Sequence, residues 1–374
     1  MNKLLLLFFA LLTICNVSAQ ETVRLTVSGQ GATKEEATAN ALRSAIEQSF
    51  GVFVSANTQI LNDEVVKDEI ATIASGNIKE FKELGCITLP NGDQSISLSA
   101  TVSIGNLISY AKSKGSSAEF AGQVFAMNMK MRKLNAENER KALMGMFTQM
   151  QEVARQIFDW EPIVGEPIVV SNGYKIPISI IAKANSYSVL FYEIFHNTLN
   201  SLSLKSEEIN EYKKNGMATY QIDIFPSVNQ YIIYKARVRE SRSNVLSFTL
   251  RNNTDYLKEQ LNNLMKIIAT SSYIKVKASV LIPYEIENIC TTFDIKYETS
   301  PGRMASDKIE CPSMIIFNTD YGKDIIIWNF HKYKDIGEPI FENKVSVNIG
   351  QNYIEYVNGF ECVRHTHAGE PRTN

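Results

Sequence analysis

The side chains that could do chemistry are few and scattered. The chain carries four histidines, His196, His331, His365 and His367. His365-Thr366-His367 has a spacing that could chelate a metal ion if Glu361 or Glu370 closed the set. The pair sits just before Gly369-Glu370-Pro371-Arg372, in a terminus of the kind that frays, so a solvated tail is the better reading. His196 follows Phe195 on an apolar helical stripe and reads as a partly buried structural histidine. His331 follows a strand and has no partner that the sequence names. Asn318-x-Asp320-x-Gly322-x-Asp324 has the oxygen-rich look of a calcium loop. Its glycine comes one position early and Asn329 stands where the bidentate glutamate belongs, so a β-turn between Ile316 and Ile325 accounts for it better.

Other chemistries fare no better. There is no Gly-x-Ser-x-Gly elbow, phosphate loop or His-Glu-x-x-His helix. Gly29-Gln30-Gly31 lies between a strand and a helix, as a dinucleotide loop would, but lacks the third glycine and the alternating βαβ context. Ser95, Ser97, Ser99, Thr101 and Ser103 alternate along one strand and should meet solvent, with no adjacent base to activate them. Tyr187, Phe191, Tyr192, Tyr231 and Tyr234 could line a sugar platform, although at 10% aromatic residues a core role is the better reading. The acidic pairs Glu35-Glu36 and Asp68-Glu69 suit helix starts and polar faces. The sequence therefore assigns no catalytic, cofactor-binding or metal-binding residue.

Composition sets the class. Hydrophobic content of 44% and charged content of 21% describe an ordered globular protein, and 374 residues imply two or three domains. The formal net charge of −2 offers no basic excess for phosphates, which argues against nucleic acid as a partner. Residues 1–19 carry Lys3, an apolar run from Leu4 to Cys15 interrupted by Thr13, and small residues at Val17-Ser18-Ala19. This is the layout of a secretory signal peptide, with cleavage expected after Ala19. Bulky Ile14 beside Cys15 disfavours lipidation there. Cys86, Cys290, Cys311 and Cys362 then remain, with three disulfide pairings open and buried free thiols as the alternative.

Hydrophobic periodicity supplies the elements. Val23, Leu25 and Val27 alternate with polar residues in a strand that Gly29-Gln30-Gly31 should end. Thr33 and Glu36 form a capping box. The helix that follows has a stripe of Ala37, Ala41, Leu42, Ala45 and Ile46 and a stop at Gly51. A second helix is expected from Asp63 to Ala74, then a strand from Asn77 to Leu89. A hairpin through Pro90-Asn91-Gly92-Asp93 leads into a strand with Ile96, Leu98, Ala100, Val102 and Ile104 on one face. Residues 118–160 read as a helical connector. Six methionines in it could form an adaptable groove but fit core packing better, and Lys133, Glu137, Glu139, Arg140 and Lys141 fit a solvated face.

Beyond Pro162 and Pro167, strands are expected at Ile168–Val170, Tyr174–Ala182, Tyr220–Phe225, Tyr231–Val238, Val245–Leu250 and Tyr273–Leu281. Helices are expected at Val189–Leu202, Ser206–Lys214 and from Asn253 or Thr254 to Ile268. Short β segments follow at Thr292–Tyr297, Met314–Asn318, Ile325–Phe330, Val345–Ile349 and Tyr353–Val357. The organisation is a leader over 1–19, an α+β module over 20–113, the connector, an α+β domain over 161–285, and a β-rich region with a frayed tail over 286–374.

Gly29-x-Gly31-Ala32-Thr33, Glu35-Glu36-Ala37, Ala41-Leu42, Ala45-Ile46, Gly51 and Ser75-Gly76-Asn77-Ile78 resemble the N-terminal domain of the flagellar assembly protein T family and related secreted lipoproteins of bacterial envelopes. The resemblance covers residues 20–110. It implies a small helix-on-sheet module, envelope association and no catalysis, and the remaining sequence has no flagellar counterpart. The expectation is an α+β protein of the periplasm or outer-membrane periphery that is structural or binds envelope proteins, with no cofactor. A soluble ligand binder or hydrolase with a cleft in residues 160–357 is the alternative. Titratable side chains converging in one deep pocket would favour the alternative, and a broad apolar surface patch the interaction protein.

Overall fold

The computed structural model describes residues 22–53, 76–113, 124–226, 245–268, 272–287, 314–319, 322–327 and 329–364. The leader, the helix expected over Asp63 to Ala74, the strands expected over Tyr231–Val238 and Thr292–Tyr297, and His365 to His367 lie outside those residues. The fold is α+β. The chain divides into two compact units, Met1–Asn138 and Glu139–Asn374.

In the first unit, β1 (Thr22–Gly31), β2 (Ile78–Thr88) and β3 (Gln94–Ser103) form an antiparallel sheet in the order β1-β3-β2. Helix α1 (Lys34–Phe53) packs on it, and α2 (Ile104–Ser113) follows β3 directly. The alanine stripe does what its small side chains allow. Ala37, Ala41, Ala45 and Ile46 are buried together with Leu25, Val27, Ile96, Leu98, Ala100 and Val102. Gly29 and Gly31 do not end β1; they pair with Ile96 and Gln94 inside the ladder. A Cβ on Gly29 would overlap the Ala37 carbonyl oxygen and Ala41 nitrogen, so that glycine serves close helix-on-strand approach. The α1 start is capped by Thr33, whose hydroxyl accepts from Glu36 N at 3.2 Å, while Glu36 Oε2 accepts from Ala32 N at 2.9 Å. Gly51 does not stop α1, which continues to Phe53. Ile104 opens α2 instead of closing β3.

A third helix, α3 (Val124–Val153), is shorter than the expected connector, because β4 (Phe158–Val164) already begins before residue 160. β5 (Ile168–Val170) and β6 (Gly173–Ala184) form the hairpin expected at Asn172-Gly173. Next come α4 (Ser186–Leu202), α5 (Ser206–Lys214), β7 (Tyr220–Phe225), β8 (Leu246–Leu250), α6 (Thr254–Ile268), β9 (Ser272–Ala278), β10 (Tyr284–Glu287), β11 (Met314–Thr319) and β12 (Gly322–Ile327). A 3₁₀-helix, Asn329–Lys334, precedes β13 (Pro339–Gly350), and another, Gln351–Tyr356, separates β13 from β14 (Val357–Arg364).

The expected boundary between 285 and 286 runs through shared sheets. β13 pairs with β6, β11 with β7 and β14 with β9, so the C-terminal strands complete sheets begun earlier. One sheet orders β10-β13-β6-β4 with β5 also beside β6; a second orders β12-β11-β7-β8; the third is β14-β9. Ile176, Ile178 and Ile180 of β6 and Val345, Val347 and Ile349 of β13 share one buried face with Ile274 and Val276 of β9. Period-two alternation on β6 leaves Pro177 and Ser179 on the opposite face.

Candidate functional site

The outer edge of the five-stranded sheet is built from Phe158-Asp-Trp-Glu-Pro-Ile-Val-Gly-Glu-Pro-Ile-Val-Val170. Its β-branched pairs favour extended backbone, and two prolines place it at an edge, where a missing donor breaks no ladder. β4 pairs with residues 178–184 of β6 and β5 with residues 173–175, so the two form one interrupted border. Ile163, Val164, Ile168, Val169 and Val170 are all exposed, Val169 by 76%. Gly165 N donates inward to Pro177 O at 2.8 Å. Ladder alternation then turns the amides of Val164 and Val169 outward and puts Pro162 and Pro167 at outward positions, removing two donors. The free border is thus reduced to short pairing segments flanked by aliphatic side chains.

Both borders of the N-terminal sheet are blunted. β2 presents Lys79, Glu80, Lys82 and Glu83. On β1, the Asn138 amide closes on the border: its Oδ1 accepts from Thr26 N and its Nδ2 donates to Thr26 O, both at 2.9 Å and buried. A side-chain amide there occupies the place of a neighbouring strand.

A hollow of about 230 Å³ lies on the solvent face beside the β4–β5 border. It is lined by Ile163, Gly165, Pro177, Ile178, Ser179, Lys344, Val345 and Ser346. Gly165 keeps it open towards the border, since a Cβ there would stand 2.9 Å from Pro177 Cγ. Lys344 is the one ionisable lining group; it is exposed and makes no ion pair among the described residues. On the same face Glu161 is paired with Lys183, and Asp159 accepts from Asn185 Nδ2 at 3.0 Å.

Residues singled out from the sequence fall elsewhere. The His196 ring is half-buried and stacks on Tyr192, with centroids 5.8 Å apart and planes at 6°. Phe191, Phe195, Phe330 and Tyr333 are fully buried and pack ring against ring, so the Phe191 part of the suggested aromatic platform is core. Tyr231 and Tyr234 lie outside the described residues. His331 is half-buried in the 3₁₀-helix Asn329–Lys334; burial, with Lys334 adding to it, pulls its imidazole below the usual histidine range. Ile316 pairs with Ile325 across β11 and β12, and Asp320 and Tyr321 between those strands lie outside the described residues. Glu361 pairs with Lys277 at 3.3 Å. Among the described residues no group of three His, Cys, Asp or Glu side chains could hold a metal, and no helix is long and apolar enough to cross a membrane.

Three expectations need correction. Ser95, Ser97 and Ser103 are buried, not solvated. β3 is the central strand, where Ser97 Oγ meets Ser28 Oγ at 3.0 Å and Ser103 Oγ accepts from Asn106 N at 3.3 Å. Glu139 is fully buried and takes no part in a solvated face. Its carboxylate accepts from Arg251 N and Asn252 N at 2.9 Å and from Asn253 Nδ2 at 3.0 Å, pinning the loop ahead of α6. Burial raises its carboxyl above the usual range against those hydrogen bonds. Of the methionines, Met146 and Met150 are core, while Met129 and Met144 are about half exposed. Cys86 carries a thiol that donates to Gln94 Oε1 at 3.7 Å, its pKa pushed up by burial; Cys290 and Cys311 lie outside the described residues.

Helical spacing that runs on through Ile157 hides the start of β4 at Phe158. The signal that could have found it is the pair of β-branched runs, Ile163-Val164 and Ile168–Val170, punctuated by prolines. No family model, no curated protein and no solved structure matches the chain.

Proposed function

We propose that this is an exported protein of a bacterial cell envelope that works by binding other proteins, and that the β4–β5 border is where it binds. The carrying observation is five exposed aliphatic side chains in the eight residues Ile163–Val170, on a sheet border left unpaired among the described residues. Soluble proteins ordinarily protect such borders, as β1 and β2 do here, and an apolar one is a template for strand addition. The leader pattern over 1–19 and the resemblance of residues 20–110 to envelope assembly modules support export and an interaction role. A hydrolase site would need several ionisable groups converging in one cavity, and the hollow beside the border brings one, Lys344.

The test is retention of envelope proteins on immobilised mature protein, compared with a Val164→Lys/Val169→Lys variant. These side chains are exposed, so the variant should melt as the wild type does. A defined partner retained by the wild type and lost by the variant is expected. The same partners on both proteins would overturn the assignment of the border.

A further inference from the structure

Resting on the binding role of the β4–β5 border, we infer that the strand it accepts carries basic side chains at two alternate positions, opposite Asp159 and Glu161, and an apolar side chain next to them on the same face, opposite Ile163. Gly165 donates its amide inward to Pro177, and alternation along β4 turns the backbone of Ile163, Glu161 and Asp159 inward with it. These three therefore occupy non-hydrogen-bonded positions towards an antiparallel strand added outside β4. At such positions the facing side chains come closest, with Cβ atoms about 4.5–5.5 Å apart. The added strand thus meets two carboxylates and one aliphatic group at direct contact range, all on the face that carries Lys183 and Ser179 of β6.

The charge of the border selects this partner. Residues 158–170 hold three exposed acids, Asp159, Glu161 and Glu166, and no lysine, arginine or histidine. Lys183 neutralises Glu161. Asp159 is held only by the neutral amide of Asn185, and neither it nor Glu166 makes an ion pair among the described residues. Two negative charges therefore stay uncompensated along the edge. Lys344 on β13 does not repel a basic strand, since three strand spacings, about 14 Å, separate them, more than the screening length of about 8 Å at physiological salt. An acidic strand would set like charges opposite one another. A second copy pairing through its own residues 158–170 would bring the same three acids and no base.

The experiment uses the full mature protein and three dye-labelled peptides, capped at both ends, of sequence Thr-Val-Thr-X-Thr-X-Thr. X is lysine in the first, glutamine in the second and glutamate in the third. In antiparallel pairing the valine falls opposite Ile163 and the two X positions opposite Glu161 and Asp159. Fluorescence anisotropy should show the lysine peptide binding about fivefold more tightly than the glutamine peptide, the scale of two exposed charge pairs, with the glutamate peptide weakest. Asp159→Asn/Glu161→Gln should erase the lysine preference, while Glu152→Gln/Glu207→Gln, which removes as much charge from exposed helix positions, should leave it intact. A lysine preference that survives Asp159→Asn/Glu161→Gln would overturn the inference. If the three peptides bind equally and all are lost in the Val164→Lys/Val169→Lys variant, the border binds strands but the basic preference is overturned. Self-association of the mature protein that the same variant abolishes would make the occupant a second copy and overturn it too. If no peptide binds, the preference falls together with the binding role of the border.

Discussion

Replacing Asn138 by alanine should destabilise the N-terminal unit by about 2–4 kcal/mol. Asn138 is 3% exposed and Thr26 is equally buried. The substitution deletes the bond from Thr26 N to Oδ1 and the bond from Nδ2 to Thr26 O, both 2.9 Å, and a third from Nδ2 to Gln48 Oε1 at 3.1 Å. The buried amide and carbonyl of Thr26 lose these partners, and each such loss costs about 1–2 kcal/mol within the usual range for an unsatisfied buried group. Asn138→Asp keeps the acceptor for Thr26 N but sets a carboxylate oxygen against the Thr26 carbonyl and Gln48 Oε1. It should be at least as damaging at neutral pH and should recover in part when acid protonates the new carboxyl. Urea unfolding gives the free energy, and amide exchange at Thr26 gives the local effect, with faster exchange expected in Asn138→Ala. A variant within about 0.5 kcal/mol of the wild type, with Thr26 equally protected, would refute the idea that a side-chain amide stands in for a strand at this border.

Leu98 is fully buried in mid-sheet, opposite Val27 and Glu83. Leu98→Ala should therefore cost about 2–5 kcal/mol in urea unfolding, and unchanged melting would contradict the register. Gly29→Ala drives a methyl into the Ala37 carbonyl and Ala41 backbone. It should cost roughly 3 kcal/mol, the upper end for overpacking because backbone cannot step aside; a neutral result would mean α1 does not sit this close to β1. Glu139 has its carboxyl raised by burial, so the stability it contributes is full below the ordinary carboxyl pKa and is lost as pH rises through the raised value. The unfolding free energy of the wild type minus that of Glu139→Gln should therefore shrink between pH 4 and pH 7.5, and a difference that widens over that range would reverse the sign of the argument.

What the sequence made legible was local periodicity. The alternation of Ile96 to Val102, the alanine stripe from Ala37 to Ala45, the Leu257-Leu261-Leu264-Ile268 stripe of α6 and the Ser206–Lys214 helix stopped at Asn215-Gly216 all appear where expected. These patterns are set by contacts within one turn or between neighbouring strands. The burial of Glu139 leaves no local signal, because it depends on donors 112 to 114 residues away. The strand expected at Tyr353–Val357 is a 3₁₀-helix as far as Tyr356, a conformation that brings Tyr353 and Tyr356, three apart, onto one partly exposed side. The division at 285/286 failed for the same long-range reason, since β13 reads as an independent short strand until β6 is known to be its neighbour. The candidate site was the least legible part. A border is defined by what does not pair with it, and sequence periodicity carries no record of that.

The most direct test of the account is hydrogen–deuterium exchange of the mature protein, alone and bound to the envelope partner it retains. A strand docked on the border must accept the outward amide protons of Val164 and Val169. The account predicts that these two amides slow markedly on binding, while Gly165, already donating to Pro177 O, changes little. Protection that falls on other elements and leaves Val164 and Val169 exchanging at their free rate would contradict it.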